Sequence, residues 1–340
     1  MKNKKTIRNF LIFILLIIIT FIVLFKDQDI NEIYNIFLNV DIKYILLGIL
    51  AMSLYFILEG LNLKQIINRF GKKTSLIKMI KFALIGFFFS GITPAASGGQ
   101  PMEIYYMHKE DISVAYSTVA LLVILISFQI ITITCGIVGA IINYKLLANG
   151  LIYLFIIGLS LNIIALTTML VCLFSSNLAK TIVNFFIKIL EKLKIKNINE
   201  MQAKIDITLE SYNESSHYIK KHKDIFFKSM LIMFFQVMAY YSIPFLVYKA
   251  FGLNTYNLIN IMTIQAVVFS SVSSIPIPGT VGISEGTYLI IYKNIYGSTY
   301  LSSATILNRT INFYLFVIIG LFITVYNLLK SKKENSKENV

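Results

Sequence analysis

Long apolar runs separated by short charged loops dominate the chain and predict membrane-spanning helices. A span needs about 20 apolar residues at a rise of about 1.5 Å per residue. The runs that come near this length are Phe10–Phe25, Tyr44–Leu63, Ile112–Tyr144, Leu151–Phe174, Ile225–Phe251 and Leu301–Leu329. They predict an all-α polytopic membrane protein with about six full spans.

Two further apolar segments, Phe82–Met107 and Leu258–Lys293, are interrupted by proline and glycine. The interruptions read GITPAASGGQPME and SSIPIPGTVGISE, and in each a proline precedes a glutamate by nine positions: Pro94 with Glu103, and Pro276 with Glu285. Neither interruption can continue a single helix. Irregular backbone at membrane depth persists only where it is buried in protein or lines a wet cavity. Broken helices in corresponding halves of a chain are typical of transporter binding sites.

Charge patterning places the two interrupted segments as opposed re-entrant hairpins. The positive-inside rule places four basic segments in the cytoplasm. They are the N-terminus, the loop from Lys64 to Lys81, segment 175–224 with its nine lysines, and the tail 331–340. Three apolar segments lie between the loop 64–81 and segment 175–224. If all three crossed the membrane, segment 175–224 would lie outside, whereas two crossings keep it inside. The first interrupted segment is therefore a hairpin that opens to the cytoplasm, and the same reasoning makes the second a hairpin that opens to the outside. This predicts an inverted repeat within one domain of residues 1–330, with halves of about 1–174 and 225–330.

Composition narrows the class of protein without naming its activity. The chain is 56% hydrophobic with a mean hydropathy of +0.73, and its net charge of +14 lies in loops between spans. Nucleic acid is therefore not an expected partner. Cys135 and Cys172 lie in separate apolar runs and indicate neither a disulfide nor a metal site. Motifs for nucleotide binding, metal hydrolysis or nucleophilic catalysis are absent, so we expect no catalytic residues, no metal and no cofactor.

Charged groups inside apolar sequence are the main candidates for function, because they are costly in hydrocarbon. Glu103, Glu285 and Arg309 could line a cavity that handles a charged headgroup or a coupling proton. Arg309 and Glu285 could instead form a structural ion pair. Glu59 is either a further site residue or an interfacial side chain, and Gln129 either lines the pathway or hydrogen-bonds between helices.

The backbone of the hairpins supplies the remaining candidates. A glycine-rich turn before a helix offers free N–H groups to an anion such as a phosphate, and Pro101 suits the first helical position. The candidate residues for substrate binding and translocation are Pro94, Ser97, Gly98, Gly99, Pro101, Glu103, Pro276, Pro278, Gly279, Gly282, Glu285 and Arg309, with Glu59 and Gln129 in addition. We interpret Tyr288 and Tyr292 as interfacial anchors.

The stretches TPAASGGQPMEIYYM and SIPIPGTVGISEGTYLIIY, together with Arg309-Thr310-Ile311-Asn312, resemble the lysylphosphatidylglycerol synthase transmembrane family. This family is also called the flippase-like domain family, and the likeness covers roughly residues 5–330. It includes the membrane half of the multiple peptide resistance factor, whose separate soluble domain transfers an aminoacyl group to phosphatidylglycerol. This chain shows no counterpart of that domain, so the resemblance implies no transferase activity by this chain alone.

The resemblance and the two hairpins together predict a membrane lipid translocase. Its substrate would be an anionic or aminoacylated phospholipid, or a polyprenyl- or glycolipid. One alternative is a membrane component of phosphatidylglycerol lysyltransferase, with a role in resistance to cationic antimicrobial peptides. A second is a proton-coupled transporter of a small solute. Expected partners are membrane lipids, a separate aminoacyltransferase or glycosyltransferase chain, and a second copy of the chain. The expected location is the bacterial cell membrane, with both termini cytoplasmic.

Overall fold

Every regular element in the described part of the chain is helical, as the sequence predicts. The structure is a computed structural model, which describes residues 38–93, 96–147, 151–175, 198–275 and 277–338. The predicted span Phe10–Phe25, Pro94 and Pro276 lie outside the described residues. The helices are α1 (Ile42–Arg69), α2 (Leu76–Ile92), α3 (Gly99–Lys109), α4 (Val114–Ile142), α5 (Leu151–Phe174), α6 (Ile198–Lys221), α7 (Lys223–Ala250), α8 (Leu258–Val272), α9 (Ile283–Arg309) and α10 (Leu315–Glu338).

Local capping groups explain why several helices begin where they do. The side chain of Asp41 accepts a hydrogen bond from the Lys43 N–H at the start of α1. Asn257 accepts from the Asn260 N–H at the start of α8, and the Asn260 side chain accepts from the Asn257 N–H in return. These bonds satisfy N–H groups that a helix start leaves without a backbone partner.

The outer surface of the bundle is apolar, as a lipid-facing surface must be. On α1, Leu46, Leu50, Leu54 and Ile57 are exposed at spacings of three and four residues, which places them on one helical face. Five described helical stretches are long and apolar enough to cross a membrane, and the last of them runs from Pro278 to Leu329 across several elements. The chain is therefore a multi-pass membrane protein.

Contacts between helix ends define the two ends of the bundle. At one end, which we call the Arg69 end, Arg69 of α1 pairs with Asp224 of α7 at 2.5 Å. At the other, the Asp41 end, the N–H of Asp41 donates to the carbonyl of Ala250 at 2.9 Å. Helices α1 and α7 thus run antiparallel along the whole bundle.

The first interrupted segment returns to the end at which it entered. Lys78 in the first turn of α2 pairs with Glu110, immediately after α3, at 2.5 Å. Helix α3 has only 11 residues, about 16 Å at 1.5 Å per residue, which is too short to cross a bilayer. Helices α2 and α3 therefore form a hairpin that opens at the Arg69 end.

The second interrupted segment forms a hairpin that opens at the Asp41 end. The start of α8 lies beside the end of α4, where the Asn143 amide donates to the Thr263 hydroxyl at 3.0 Å. The first part of α9 returns toward the same end, where Tyr296 donates to the carbonyl of Pro244 at 3.0 Å. The two hairpins thus enter the bundle from opposite ends, as the charge pattern predicts.

The second hairpin is separated from the last span by a kink at Gly297, where φ is 66° and ψ is 177°. The chain then runs back into the bundle through Arg309 and a π-helical turn, Thr310–Tyr314, before α10 continues it. This kink lies between the interrupted segment Leu258–Lys293 and the apolar run Leu301–Leu329.

Glycine allows α5 and α8 to approach closely. A Cβ atom at Gly158 would lie 2.4 Å from the Ser271 carbonyl oxygen and 2.5 Å from that of Ser270. These are backbone atoms, which cannot rotate away. The same region is tied by Asn162 of α5, whose amide donates to the Ser270 carbonyl at 3.1 Å.

We expect Gly158→Ala to destabilise the protein by about 1–3 kcal/mol, because the added methyl group must push two helices apart. The measurement is the thermal unfolding midpoint of the purified protein in detergent. Gly286→Ala is the matched control, since nothing lies within 4 Å of a Cβ atom there. Equal midpoints for the two variants would contradict the close packing of α5 on α8.

Candidate functional site

A buried ion pair joins the second hairpin to the last span. Nε of Arg309 donates to Oε1 of Glu285 at 2.6 Å, and both side chains are almost fully buried. The Arg309 guanidinium also donates through Nη2 to the carbonyl of Gly279 at 2.9 Å and lies 4.4 Å from the centre of the Phe313 ring. Of the two interpretations left open by the sequence, the geometry matches the ion pair.

Glu285 is held at the start of α9 by more than this cation. The N–H of Gly282 donates to Oε2 of Glu285 at 2.7 Å, and the Tyr314 hydroxyl donates to Oε1 at 3.2 Å. Both carboxylate oxygens therefore have donors, and the charge lies near the positive end of a helix. This carboxylate is fully engaged in holding the break.

The backbone of the second break needs its glycines. Gly279 has φ 58° and Gly282 has φ 88°, and the intervening Thr280 also has a positive φ of 51°. Pro278 begins the short 3₁₀ turn that presents the Gly279 carbonyl to Arg309. A Cβ atom at Gly279 would lie 2.4 Å from the Phe313 ring and 3.2 Å from the carbonyl oxygen of Gly91. The two breaks therefore touch each other.

The first break uses its glycines for packing. The N–H of Gly98 donates to the Thr93 hydroxyl at 2.9 Å. A Cβ atom at Gly99 would lie 2.0 Å from the Ser90 hydroxyl oxygen. Helix α3 begins at Gly99, so Pro101 is its third residue and not its first as predicted. Ser97 and Pro101 are exposed.

Glu103 lies where the two helices of the first hairpin meet. Its side chain is 6% exposed and its Oε2 has no hydrogen-bond partner. A Cβ atom at Gly86 of α2 would lie 1.8 Å from Oε1 of Glu103. The carboxyl group thus occupies space that exists only because residue 86 is glycine.

Glu59 of α1 reaches the same pocket and accepts a hydrogen bond from the Gln236 amide of α7. It is half-buried and belongs to the interior rather than to an interface. Gln129 is 8% exposed, with its Oε1 lacking a partner, and does not line the cavities described next.

Three neighbouring cavities lie where the two hairpins meet or beside that contact. The central cavity, of about 200 Å³, is lined by both breaks and contains Arg309. A carboxylate pocket of about 160 Å³ contains Glu59 and Glu103. A small polar pocket of about 30 Å³ lies on the other side of Arg309. Side chains shared by the linings make the three spaces adjacent: Tyr55, Phe87, Ser90 and Phe128 for the carboxylate pocket, and Tyr240, Phe269, Ser273, Thr280, Arg309 and Asn312 for the polar pocket.

Sequence reasoning did not single out the polar pocket. Asn308 and Asn312 flank Arg309, are 2% and 3% exposed, and have no partner for either Oδ1. Their spacing of four residues places them on one helical face. Asn312 lies within the π-helical turn that begins at Thr310, and such turns occur often at functional sites. The sequence did contain one indication of this pocket, because two amide side chains lie close to an arginine in an apolar span.

Two tyrosines interpreted as interfacial anchors are buried instead. Tyr288 and Tyr292 are 3% and 0% exposed and stack with ring centres 3.9 Å apart. The Tyr288 hydroxyl donates to that of Tyr296 at 3.1 Å, and the Tyr292 hydroxyl donates to Gln265 at the same distance. These polar groups found partners inside the bundle, so an interfacial position was unnecessary.

The described residues define a class: a polytopic membrane protein in which two helix breaks meet around an internal cavity with ionisable groups at its sides. The chain belongs to the family described as the lysylphosphatidylglycerol synthase TM region, which matches residues 10–320. It is also similar to a UPF0104 membrane protein of Archaeoglobus fulgidus, with 23% identity over 326 residues, covering 91% of this chain and 94% of that protein.

Removing one partner of the buried ion pair should lower the free energy of unfolding. We expect Arg309→Met and Glu285→Gln each to destabilise the protein by about 3–5 kcal/mol, because each leaves polar or charged groups buried without a partner. The double variant should lose less than the sum of the two single variants.

Thermal unfolding in detergent, followed for all three variants, measures this coupling. Arg69→Met is the control, since it breaks an exposed pair worth about 0–1 kcal/mol. Additive losses in the double variant would contradict a direct pair.

Proposed function

We propose that this chain moves an amphipathic lipid between the two leaflets of a membrane. The observation that carries the proposal is the central cavity: both helix breaks line it, and it combines a buried cation with mostly apolar walls. A lipid has the same division between a polar headgroup and apolar tails. Carriers commonly place their sites between broken helices at mid-membrane.

The polar side of the cavity suits an anionic headgroup. Arg309 supplies the positive charge, and the adjoining polar pocket holds Asn308 and Asn312, whose unpartnered Oδ1 atoms can accept from a hydroxyl or ammonium group of a headgroup. Arginine presents a planar fork of donors that matches phosphate oxygens. In this proposal an approaching phosphate shares the Arg309 guanidinium with Glu285.

The other walls of the cavity suit the apolar part of a lipid. Met52, Phe87, Phe128, Phe269 and Phe313 contribute side chains to the lining. Aromatic and methionine side chains adapt to flexible apolar ligands. Within this proposal the substrate is an anionic or aminoacylated phospholipid, or a polyprenyl- or glycolipid.

The family description also suggests a setting for the activity. Because the matched family is named for a lysylphosphatidylglycerol synthase, we propose that a separate transferase chain supplies the lipid. We further propose a cell-membrane location with the Arg69 end facing the cytoplasm, since the lysine-rich loops lie at that end.

The test is a leaflet-resolved assay on the purified chain in phosphatidylglycerol-containing liposomes. Fluorescent analogues of phosphatidylglycerol, phosphatidylethanolamine and a polyprenyl phosphate are placed in the inner leaflet, and their appearance outside is followed with a membrane-impermeant quencher. At least one analogue should move faster than in protein-free liposomes. Rates equal to those of protein-free liposomes for every analogue would contradict the proposal.

Filling the cavity should slow this movement. We expect Ile277→Trp to lower the rate about tenfold, the effect of about 1.4 kcal/mol of lost fit, because residue 277 lines the central cavity. Ile290→Trp is the matched control, since Ile290 is 61% exposed on the outer surface of α9. Equal rates for both variants would mean that the lipid takes another path.

A further inference from the structure

The carboxylate pocket differs from the other charged site in having no cationic side chain in its lining. The residues around it are Tyr55, Phe56, Glu59, Ala83, Gly86, Phe87, Ser90, Gln100, Glu103, Ile124, Leu125, Phe128 and Met233. Among the described residues, two carboxyl groups therefore share an interior space of about 160 Å³ whose lining contains no lysine, arginine or histidine. An unpaired carboxylate in such a space is costly, and two like charges are costlier still.

The helices packed around the pocket supply few groups that can exchange a proton. Helix α1 contributes Glu59 and the Tyr55 hydroxyl, and α3 contributes Glu103 and the Gln100 amide. Helix α2 contributes Ser90, and α7 contributes Gln236 through its bond to Glu59. The lining residues of α4 are apolar. Among the described lining residues of this pocket, the acidic side chains are those of Glu59 and Glu103.

The two carboxyl groups are not equivalent. Glu59 accepts a hydrogen bond from the Gln236 amide, and such a bond favours the ionised form. Oε2 of Glu103 is buried and has no donor. A protonated carboxyl group needs no cation beside it, so Glu103 is the better position for a proton shared by the pair.

The carboxylate pocket also adjoins the central cavity, which is the proposed lipid path. Tyr55, Phe87, Ser90 and Phe128 line both the carboxylate pocket and the central cavity. An occupant of the central cavity would therefore lie against the same side chains that cover the carboxyl groups. A change of occupant can alter the access of water to Glu103.

We propose that the Glu59–Glu103 pocket is a proton-binding site, with the proton on Glu103, and that its release and uptake accompany each transport cycle. In the release step the O–H bond of the Glu103 carboxylic acid breaks and a water molecule accepts the proton. In the uptake step the Glu103 carboxylate takes a proton from water that reaches it from the opposite side of the membrane. The coupling rests on the proposed lipid transport, whereas the proton site itself does not.

The proton site is tested without measuring any lipid movement. Infrared difference spectra of the purified chain in phosphatidylglycerol nanodiscs, recorded between about pH 5 and 9 in sodium-free buffer, report carboxylic-acid C=O stretches. We expect a buried carboxylic-acid band near neutral pH that is lost in Glu103→Gln and in Glu59→Gln/Glu103→Gln. Glu110→Gln is the control, because Glu110 is exposed and pairs with Lys78, and it should keep the band. Persistence of the band in the double variant, or its loss on adding sodium alone, would overturn the proton site.

The coupling is tested in liposomes with an imposed pH gradient and fluorescent phosphatidylglycerol. If one proton moves with each lipid, about one pH unit should shift the steady-state ratio between leaflets about tenfold. Glu103→Gln should abolish the shift, and Glu110→Gln should retain it. Lipid movement that ignores the gradient in the intact chain would overturn the coupling and leave lipid transport standing. If the infrared carboxylic-acid band is present but no lipid moves, lipid transport would be overturned and the proton site would stand.

Discussion

The second break depends on the buried contact between Arg309 and Glu285, because irregular backbone inside a membrane protein must find internal hydrogen-bond partners. Arg309 satisfies the carbonyl of Gly279 while neutralising Glu285, which in turn accepts from the N–H of Gly282. One guanidinium thus fixes both sides of the 3₁₀ turn. The same contact leaves a cation at the wall of the central cavity, so the group that stabilises the break is also available to a ligand.

The two hairpins resemble each other in sequence but differ in how their glutamates are used. Glu285 has donors on both carboxylate oxygens, whereas Glu103 has none on Oε2 and lies against the glycine backbone of α2. The repeat therefore supplies two equivalent breaks with unequal electrostatics. We interpret Glu285, which has donors on both oxygens, as structural, and Glu103, which has no donor on Oε2, as the group that exchanges a proton. The division of roles follows from Arg309, which has no counterpart in the lining of the carboxylate pocket.

Much of the fold could be predicted because its causes are local. The apolar run Leu151–Phe174 predicts helix α5 exactly, and lysines at loop positions predict the opposite entry of the two hairpins. Predictions that depended on a side chain's neighbours were less secure. Tyr288 and Tyr292 were expected at an interface, but their hydroxyl groups found partners within the bundle. The helix predicted to begin at Pro101 begins at Gly99, because a proline is tolerated anywhere in a first turn whose N–H groups lack helical partners.

The sequence by itself determined the membrane class, the apolar helices, the two breaks and the identity of the charged residues, since hydropathy and proline–glycine chemistry act over a few residues. Only the tertiary structure decided which charges meet. It paired Arg309 with Glu285 and placed Glu59 beside Glu103. The hydrogen bond between Glu59 and Gln236 joins residues 177 positions apart. Contacts of this kind depend on how the helices pack, which a local pattern of residue types does not encode.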